Sequence, residues 1–150
     1  PDAAGLRRDA GKPVRGAGER VSTSHLSVRV YYEDTDFSGN VYHAAYLHFF
    51  ERGRTEFLRE RGVHHSELVK DGVAFAVRSM SIDFKAAAHI DDLLDVTTQV
   101  ASMTPARLNL LQSIARDGVE ITRAEVQVVA IKTSGGVARM PRDLVAAFSK

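Results

Sequence analysis

The sequence predicts an α+β fold in which one long central helix is wrapped by a five-stranded antiparallel sheet. An amphipathic segment of about 20 residues follows a first segment with alternating apolar residues. Four further alternating segments come after it, most of them joined by short turn sequences. Hairpin connections favour antiparallel pairing, because parallel strands need long crossovers. The same order of segments argues against a doubly wound parallel sheet.

The elements can be predicted one after another from local patterns. Alternation predicts a first strand from His25, with one face formed by Leu26, Val28, Val30 and Tyr32. A helix is predicted from Val41 to Arg61 and ends at Gly62. A short second helix follows over residues 64–71. The long helix has one apolar stripe, which consists of Tyr42, Tyr46, Phe49, Phe50, Gly53 and Phe57.

The rest of the chain predicts four strands and a final helix. Asp117-Gly118 is a strong signal for a two-residue hairpin between the third and fourth of these strands. Pro141 is suited to the first turn of a helix that runs to Phe148. The strands are predicted over residues 73–85, 92–103, 106–116 and 120–133.

Composition excludes several classes of function. The chain has 150 residues, 44% of them hydrophobic, and its formal net charge is +1. It has no cysteine, which excludes disulfide scaffolds, Cys-ligated zinc, iron–sulfur clusters and thiol nucleophiles. A near-neutral chain is not built to neutralise nucleic-acid phosphates. No apolar run approaches the roughly 20 residues of a membrane helix. We therefore expect neither nucleic-acid binding nor membrane insertion.

Residues 1–24 differ from the rest of the chain. They hold four Gly, two Pro and only three large aliphatic residues, with five basic against three acidic side chains. Such a segment cannot bury enough apolar surface to become ordered, so we predict a flexible tail over 1–24 and a domain over 25–150. The tail lacks the apolar stretch of a secretory signal. We therefore expect a cytoplasmic protein.

The stretch that indicates chemistry is EDTDFSGNVYH, residues 33–43, at the junction of the first strand with the long helix. Unpaired N–H groups at a helix start favour negative charge and should keep Asp36 ionised. A carbonyl oxygen aimed at those donors would be stabilised as an oxyanion, by about 10²–10³ in rate for one donor. Asp36 could attack the carbonyl carbon or activate a water. The pattern therefore points to acyl transfer.

Two other interpretations of the same stretch stay open on these residues alone. Asp, Ser and Asn before a helix are ordinary caps. A D-x-D pair with a nearby His could bind a divalent metal, although two carboxylates and one His are few ligands. We predict no metal site. The histidines elsewhere in the chain are interpreted as solvated or strand-start residues: His25, His48, His64, His65 and His89.

The blocks VYYEDTD, GNVYHAAYL and FERGRTEFLR resemble the hotdog-fold acyl-CoA thioesterases. The similarity is greatest to the tol–pal-associated branch of the 4-hydroxybenzoyl-CoA thioesterase family. It continues downstream through Val73–Phe75, Ile90–Leu94 and Glu125-Val126, and covers roughly residues 26–149. One departure is the Ala86-Ala87-Ala88 stretch, where family members usually have a proline.

The resemblance implies a role for each residue of the loop and the helix start. Asp36 would be the catalytic carboxylate, and the backbone N–H of His43 would polarise the thioester carbonyl while its side chain orients substrate or water. Asp34 would shape the loop. Glu51 is interpreted as a helix-surface or interface residue rather than a catalytic one. The resemblance further places three residues at the substrate: Gly39, Val41 and Tyr42.

The implied reaction is hydrolysis of acyl-CoA thioesters to a carboxylic acid and CoA, with no bound cofactor. Homodimers or homotetramers are implied, with active sites at the dimer interface. The alternatives are a thioesterase acting on acyl carrier protein, a hotdog hydratase, and a non-catalytic acyl-CoA or lipid-binding module. Candidates for contact with the CoA phosphates are Arg78, Lys85, Arg107 and Arg139.

Overall fold

The computed structural model describes residues 23–148. The elements, in chain order, are β1 (Thr23–Arg29), α1 (His43–Glu60), α2 (His65–Lys70), β2 (Val73–Phe84), β3 (Leu93–Met103), β4 (Arg107–Arg116), β5 (Val119–Lys132), β6 (Val137–Ala138) and α3 (Arg142–Phe148). The long strands form one antiparallel sheet in the order β1-β3-β4-β5-β2, and β6 pairs with β5. The sheet therefore ends at β1 on one side and at β2 on the other.

This architecture confirms the predicted α+β fold, with five long antiparallel strands and one long helix. Asp117 and Gly118, with φ of 52° and 81°, form the turn between β4 and β5. Two positive φ values in succession are what a two-residue hairpin with the twist of a sheet requires. The short strand β6 is not predicted by the sequence, because two residues are too few to show alternation.

The helix α1 packs on one face of the sheet and approaches it tightly at Gly53. A Cβ atom at this position would lie 2.8 Å from Val96 Cγ1, closer than real Cβ atoms come. Beside it, the buried Gln112 Nε2 donates to the Phe50 carbonyl at 3.0 Å and to Thr98 Oγ1 at 2.8 Å. The close contact at Gly53 and the hydrogen bonds of Gln112 together fix the position of α1 on the sheet. The buried residues of α1 are Ala45, Tyr46, Phe49, Phe50, Gly53, Phe57 and Leu58.

Two tyrosines lie outside the faces to which the periodicity assigns them. Tyr32 is 81% exposed, because β1 ends at Arg29 and Tyr32–Asp34 form a 3₁₀ turn. Tyr42 has extended φ and ψ of −81° and 156°, precedes α1 as its N-cap residue, and is 39% exposed. The strand thus ends before Tyr32, and the helix begins only after Tyr42.

The predicted tail of residues 1–24 lies outside the described residues, except for Thr23 and Ser24. These two residues pair with β3 and begin β1 two positions before the predicted start at His25. The division into tail and domain stays a prediction, and so does the cytoplasmic location. Among residues 23–148, no helix has both the length and the apolar character needed to cross a membrane.

Candidate active site

The chain between β1 and α1 closes into a small hairpin, from Thr35 to Val41, which we call the loop hairpin. Its two ends pair as an antiparallel bridge. Inside it, the Asp36 N–H donates to the Asn40 carbonyl at 2.8 Å, and the Gly39 N–H donates to the Asp36 carbonyl at 3.1 Å. Gly39 has a φ of 87°, in the left-handed region that favours glycine. Backbone hydrogen bonds and one glycine therefore fix the shape of the loop.

The Asp36 carboxylate is exposed and is oriented by its neighbour Ser38. Its Oδ1 accepts hydrogen bonds from the Ser38 backbone N–H at 2.8 Å and from the Ser38 hydroxyl at 2.5 Å. These bonds, with the hydroxyl first, favour the charged form and lower the pKa of Asp36 below its ordinary value. The direct contacts that lower the pKa of Asp36 come from Ser38 and, to a smaller extent, from the Asn40 backbone N–H; the expected effect of the helix start stays a prediction. Sequence reasoning considered Ser38 only as a possible helix cap, although Asp-x-Ser is a typical turn pattern.

His43 is the first residue of α1, and its backbone N–H is open. The preceding residue, Tyr42, makes no side-chain capping bond, and its carbonyl accepts from the Ala45 N–H at 2.9 Å. Within residues 23–148 the His43 N–H donates no hydrogen bond, as is usual in the first turn of a helix. The helix dipole places partial positive charge at this end. The site can therefore receive a carbonyl oxygen or an oxyanion.

Of the other residues in this stretch, some stabilise the loop and others are accessible to a substrate. Asp34 Oδ2 accepts from the Tyr31 N–H at 2.9 Å, so this carboxylate caps the 3₁₀ turn. The Asp34 carbonyl also accepts from the Tyr42 N–H at 3.3 Å. Val41 is only 6% exposed and belongs to the core. Of the three predicted substrate-binding residues, Tyr42 is exposed and Gly39 is half-buried, whereas the Val41 side chain is buried.

The segment Ala86-Ala87-Ala88, where members of the hotdog thioesterase family usually have a proline, supports the loop hairpin. The Val41 N–H donates to the Ala88 carbonyl at 2.9 Å, and the Ile90 N–H donates to the Gly39 carbonyl at 3.1 Å. Ala88 itself is fully buried. The three consecutive alanines thus keep the backbone contacts with the loop without a proline.

Two cavities open beside Glu51, which is exposed on α1 eight residues after His43, or about 12 Å along the helix axis. One cavity, of about 480 Å³, runs along β1 and has several charged walls. The other, of about 230 Å³, lies between α1 and the sheet and is mainly apolar. Neither is lined by Asp36 or His43. The walls of the apolar cavity include Arg54, Leu58, His65, Phe75, Leu110 and Val128.

The four basic candidates for CoA contact lie at different places on the sheet. Lys85 directly follows β2, at the same end as the loop hairpin, and pairs with Glu120. Arg78 lies within β2. Arg107 begins β4 and Arg139 follows β6, so both lie at the opposite end. Within one chain, Lys85 is therefore the candidate at the same end of the sheet as the loop hairpin.

The histidines outside the loop form separate local contacts. His25 Nδ1 lies 3.4 Å from Asp95 Oδ2, and His89 Nδ1 lies 3.7 Å from Asp92 Oδ2. His65 meets the ring of Phe75 edge-on, with centroids 5.7 Å apart. In the part of the chain that the structure describes, no three His, Asp or Glu side chains are grouped so as to hold a metal ion.

Comparison with protein families matches residues 30–148 to the thioesterase-like superfamily. The chain belongs to this superfamily. The acyl-CoA thioester hydrolase YbgC of Escherichia coli is 41% identical to this thioesterase-like chain over 125 residues, which are 82% of the chain and 93% of the relative. The acyl-CoA thioesterase YbgC of Haemophilus influenzae is 42% identical over 123 residues, 81% of the chain and 90% of the relative.

A solved structure agrees with the sequence comparison. The crystal structure of a probable thioesterase from Bartonella henselae is 40% identical to the thioesterase-like chain, with a TM-score of 0.76, and the match covers 80% of the chain and 100% of that structure. The hotdog fold and the family predicted from the motifs are thereby confirmed. The roles of the individual site residues stay predictions.

Proposed function

We propose that this chain hydrolyses acyl-CoA thioesters to a carboxylic acid and free CoA, with Asp36 and the backbone N–H of His43 as its catalytic groups. The observation that carries the proposal is the loop hairpin, which presents an ionised, accessible carboxylate just before an open helix start. The names of the YbgC relatives support the substrate class.

The His43 N–H would receive the carbonyl oxygen of the thioester. When the carbonyl carbon becomes tetrahedral, negative charge develops on that oxygen, and a donor already aimed at it stabilises the transition state. The N–H belongs to the backbone of the first helical turn, so its direction is fixed before the substrate arrives. No side chain needs to be reoriented for this step.

Asp36 can act in two ways. As a nucleophile, its carboxylate attacks the carbonyl carbon, the C–S bond breaks, and CoA leaves as a thiolate. Water then hydrolyses the mixed anhydride, which regenerates the Asp36 carboxylate and releases the acid, and a proton from that water neutralises the thiolate. As a general base, Asp36 takes a proton from water while the resulting hydroxide attacks the carbonyl. The C–S bond then breaks, the acid is released, and Asp36 gives its proton to the leaving CoA thiolate.

A single turnover in water enriched in heavy oxygen separates the two routes. The nucleophilic route places heavy oxygen in the Asp36 carboxylate once the anhydride is hydrolysed at its aspartyl carbonyl, which mass spectrometry of the loop peptide would detect. The general-base route places the label in the product acid alone, as does hydrolysis of the anhydride at its acyl carbonyl, so label in Asp36 is the outcome that identifies the nucleophilic route. Both results are compatible with the proposed hydrolysis.

The substitution Asp36→Asn tests the proposal itself. We expect turnover to fall by at least about 10³, because an amide can neither attack the carbonyl nor accept the proton. The fold should be retained, since Asp36 is exposed. Asp95→Asn is a matched control, because Asp95 is an exposed aspartate on β3, on the side of the sheet away from β2. Near-normal hydrolysis by the Asp36 variant would show that the assignment is wrong.

Release of free thiol from a panel of acyl-CoAs is the direct assay, and thioesters of acyl carrier protein belong in the same panel. Faster release from the carrier-protein substrates would favour that alternative. Saturable binding of acyl-CoA without thiol release would favour a non-catalytic module.

The enzyme is proposed to act as a homodimer joined along β2, which is an edge strand of the described sheet. An edge strand of 12 residues offers unpaired backbone groups, and Val77 and Phe84 on it are 45% and 52% exposed. Antiparallel pairing of two copies brings the C-terminal end of one β2 to the N-terminal end of the other. The loop hairpin of one copy would then face the apolar cavity of its partner. This geometry would complete a site that one chain has only in parts.

A further inference from the structure

Tyr46 is a buried tyrosine in the first turns of α1, and its hydroxyl is hydrogen-bonded inside the core. The residue is 3% exposed. Its ring packs edge-on against Phe49 and Phe84, with centroid distances of 6.2 and 5.5 Å. Its Oη accepts a hydrogen bond from the buried Ala88 N–H at 2.9 Å. A phenylalanine would make the same ring contacts, so the hydroxyl needs a separate explanation.

Ala88 joins two parts of the chain that flank the helix start. Its N–H donates to Tyr46 Oη, and its carbonyl accepts from the Val41 N–H at 2.9 Å. His43 lies between these two contacts, two residues after Val41 and three residues before Tyr46. One buried alanine therefore holds both ends of the short segment that presents the His43 N–H. We call Val41, Tyr46 and Ala88 the clasp.

The clasp also restrains the catalytic carboxylate. Val41 pairs with Thr35 across the loop hairpin, and Asp36 is the next residue after Thr35. The Asp36 N–H and the Asn40 carbonyl are hydrogen-bonded on the same hairpin. A movement of Val41 would therefore shift Asp36 together with the helix start.

The strand side of the clasp is fixed by an ion pair. Arg116 Nη1 on β4 donates to the Ala87 carbonyl at 2.8 Å and to Asp92 Oδ2 at 2.9 Å. The same Asp92 oxygen accepts from the His89 N–H at 2.8 Å. Ala87 and His89, the chain neighbours of Ala88, are therefore both held by hydrogen bonds. The Tyr46 hydroxyl joins this rigid segment to α1.

We propose that Tyr46 is a positioning residue for thioester hydrolysis, whose hydroxyl, through Ala88, sets the separation between the Asp36 carboxylate and the His43 N–H. The inference rests on the proposed function of those two groups. Tyr46 itself does not contact the substrate. A buried hydroxyl is costly unless it is hydrogen-bonded, and here its partner belongs to the segment that supports the loop hairpin.

The test is Tyr46→Phe, which keeps the ring and removes only the hydroxyl. We expect kcat to fall by roughly 10- to 100-fold, because small displacements of catalytic groups have effects of this size. The KM for the acyl-CoA that the wild type hydrolyses fastest should stay within about twofold, since no substrate contact is removed. The pH dependence of kcat should keep its shape. The amides of Val41 and Ala88 should exchange faster with solvent.

Phe57→Leu is the control for general destabilisation. Phe57 is fully buried on the same helix, 11 residues beyond Tyr46, and is remote from the clasp. At equal loss of thermal stability this control should retain kcat. If Tyr46→Phe loses no more kcat than the control, or if it removes a limb of the pH profile, the positioning role is wrong. Asp36→Asn is measured in parallel: an inactive Asp36 variant beside a fully active Tyr46 variant overturns this inference and leaves the proposed function intact.

Discussion

The two oxygens of the Asp36 carboxylate are not equivalent. Both hydrogen bonds from Ser38 reach Oδ1 and none of them reaches Oδ2, and the Asn40 backbone N–H makes a smaller contribution at the carboxylate. A carboxylate at the surface is ionised at neutral pH without help, so the main effect of Ser38 is to fix the direction of the side chain. Oδ2 is then the oxygen available to attack a carbonyl carbon or to accept a proton from water. At the scale of single residues, an ordinary turn interaction supplies the orientation that catalysis needs.

The substitution Ser38→Ala should move the acid limb of the pH–rate profile. The Ser38 hydroxyl lowers the pKa of Asp36, so its removal raises that pKa. Asp36 then takes up its proton at a higher pH, and kcat/KM begins to fall at a higher pH during acidification. The measurement is kcat/KM against pH over the range in which the protein stays folded. Ser38→Thr keeps a hydroxyl and should leave the limb in place, and an unmoved limb in Ser38→Ala would contradict the assignment.

Two substitutions at His43 separate the backbone N–H from the side chain. His43→Ala removes the exposed ring and keeps the N–H, so activity should stay within about tenfold of the wild type. His43→Pro also removes the N–H and should cost a further 10²–10³ or so in kcat. Proline is favoured at the first helical position, and Tyr42 already has the extended conformation that proline demands of the preceding residue. The helix should therefore survive, which circular dichroism checks. Equal activity of the two variants would show that this N–H is not the oxyanion donor.

At the scale of elements, the three alanines after β2 form a support whose positions are not interchangeable. Within residues 23–148 the exposed Ala87 donates no backbone hydrogen bond, whereas the N–H of the buried Ala88 donates to Tyr46. Ala87→Pro should therefore keep the free energy of unfolding or raise it by about 0.4–1 kcal/mol. Ala88→Pro should lower it by about 1–3 kcal/mol through the lost hydrogen bond. Denaturant unfolding of the two variants gives the comparison, and equal stabilities would refute this distinction.

The sequence predicts the elements well because their signals are local. Alternation, the apolar stripe of α1 and the Asp117-Gly118 turn all depend on neighbours in the chain, and the motif around Asp36 marks the loop by resemblance. The contacts of Tyr46 and Ala88 join residues 42 positions apart. Periodicity places Tyr46 in the core and says nothing of its hydroxyl. These nonlocal contacts require the folded chain, and so does the distinction between the buried Val41 and the exposed Tyr42.

At the scale of the whole molecule, the loop hairpin with its proposed catalytic groups and the apolar cavity beside α1 lie at different places in one chain. The loop hairpin is at the end of the sheet where β2 finishes, while Phe75 and Ala76 in the apolar cavity belong to the beginning of β2. Phe84 follows Ala76 by eight residues, or about 26 Å of extended strand. The cavity wall nearest to the helix start, Glu51, is about 12 Å from His43 along the helix axis, and neither Asp36 nor His43 lines the cavity within one copy. Antiparallel pairing of two β2 strands removes the separation.

Complementation between two inactive variants tests this arrangement. Asp36→Asn damages the loop hairpin, and Ala76→Phe fills the apolar cavity, so each homodimer should be inactive. In a heterodimer purified with two different tags, one site combines the intact hairpin of one copy with the intact cavity of the other. The second site has both lesions. We expect about half of the wild-type activity per dimer, as twofold symmetry requires. If hairpin and cavity of the same chain formed the site, both sites of the heterodimer would carry a lesion, and it would stay inactive.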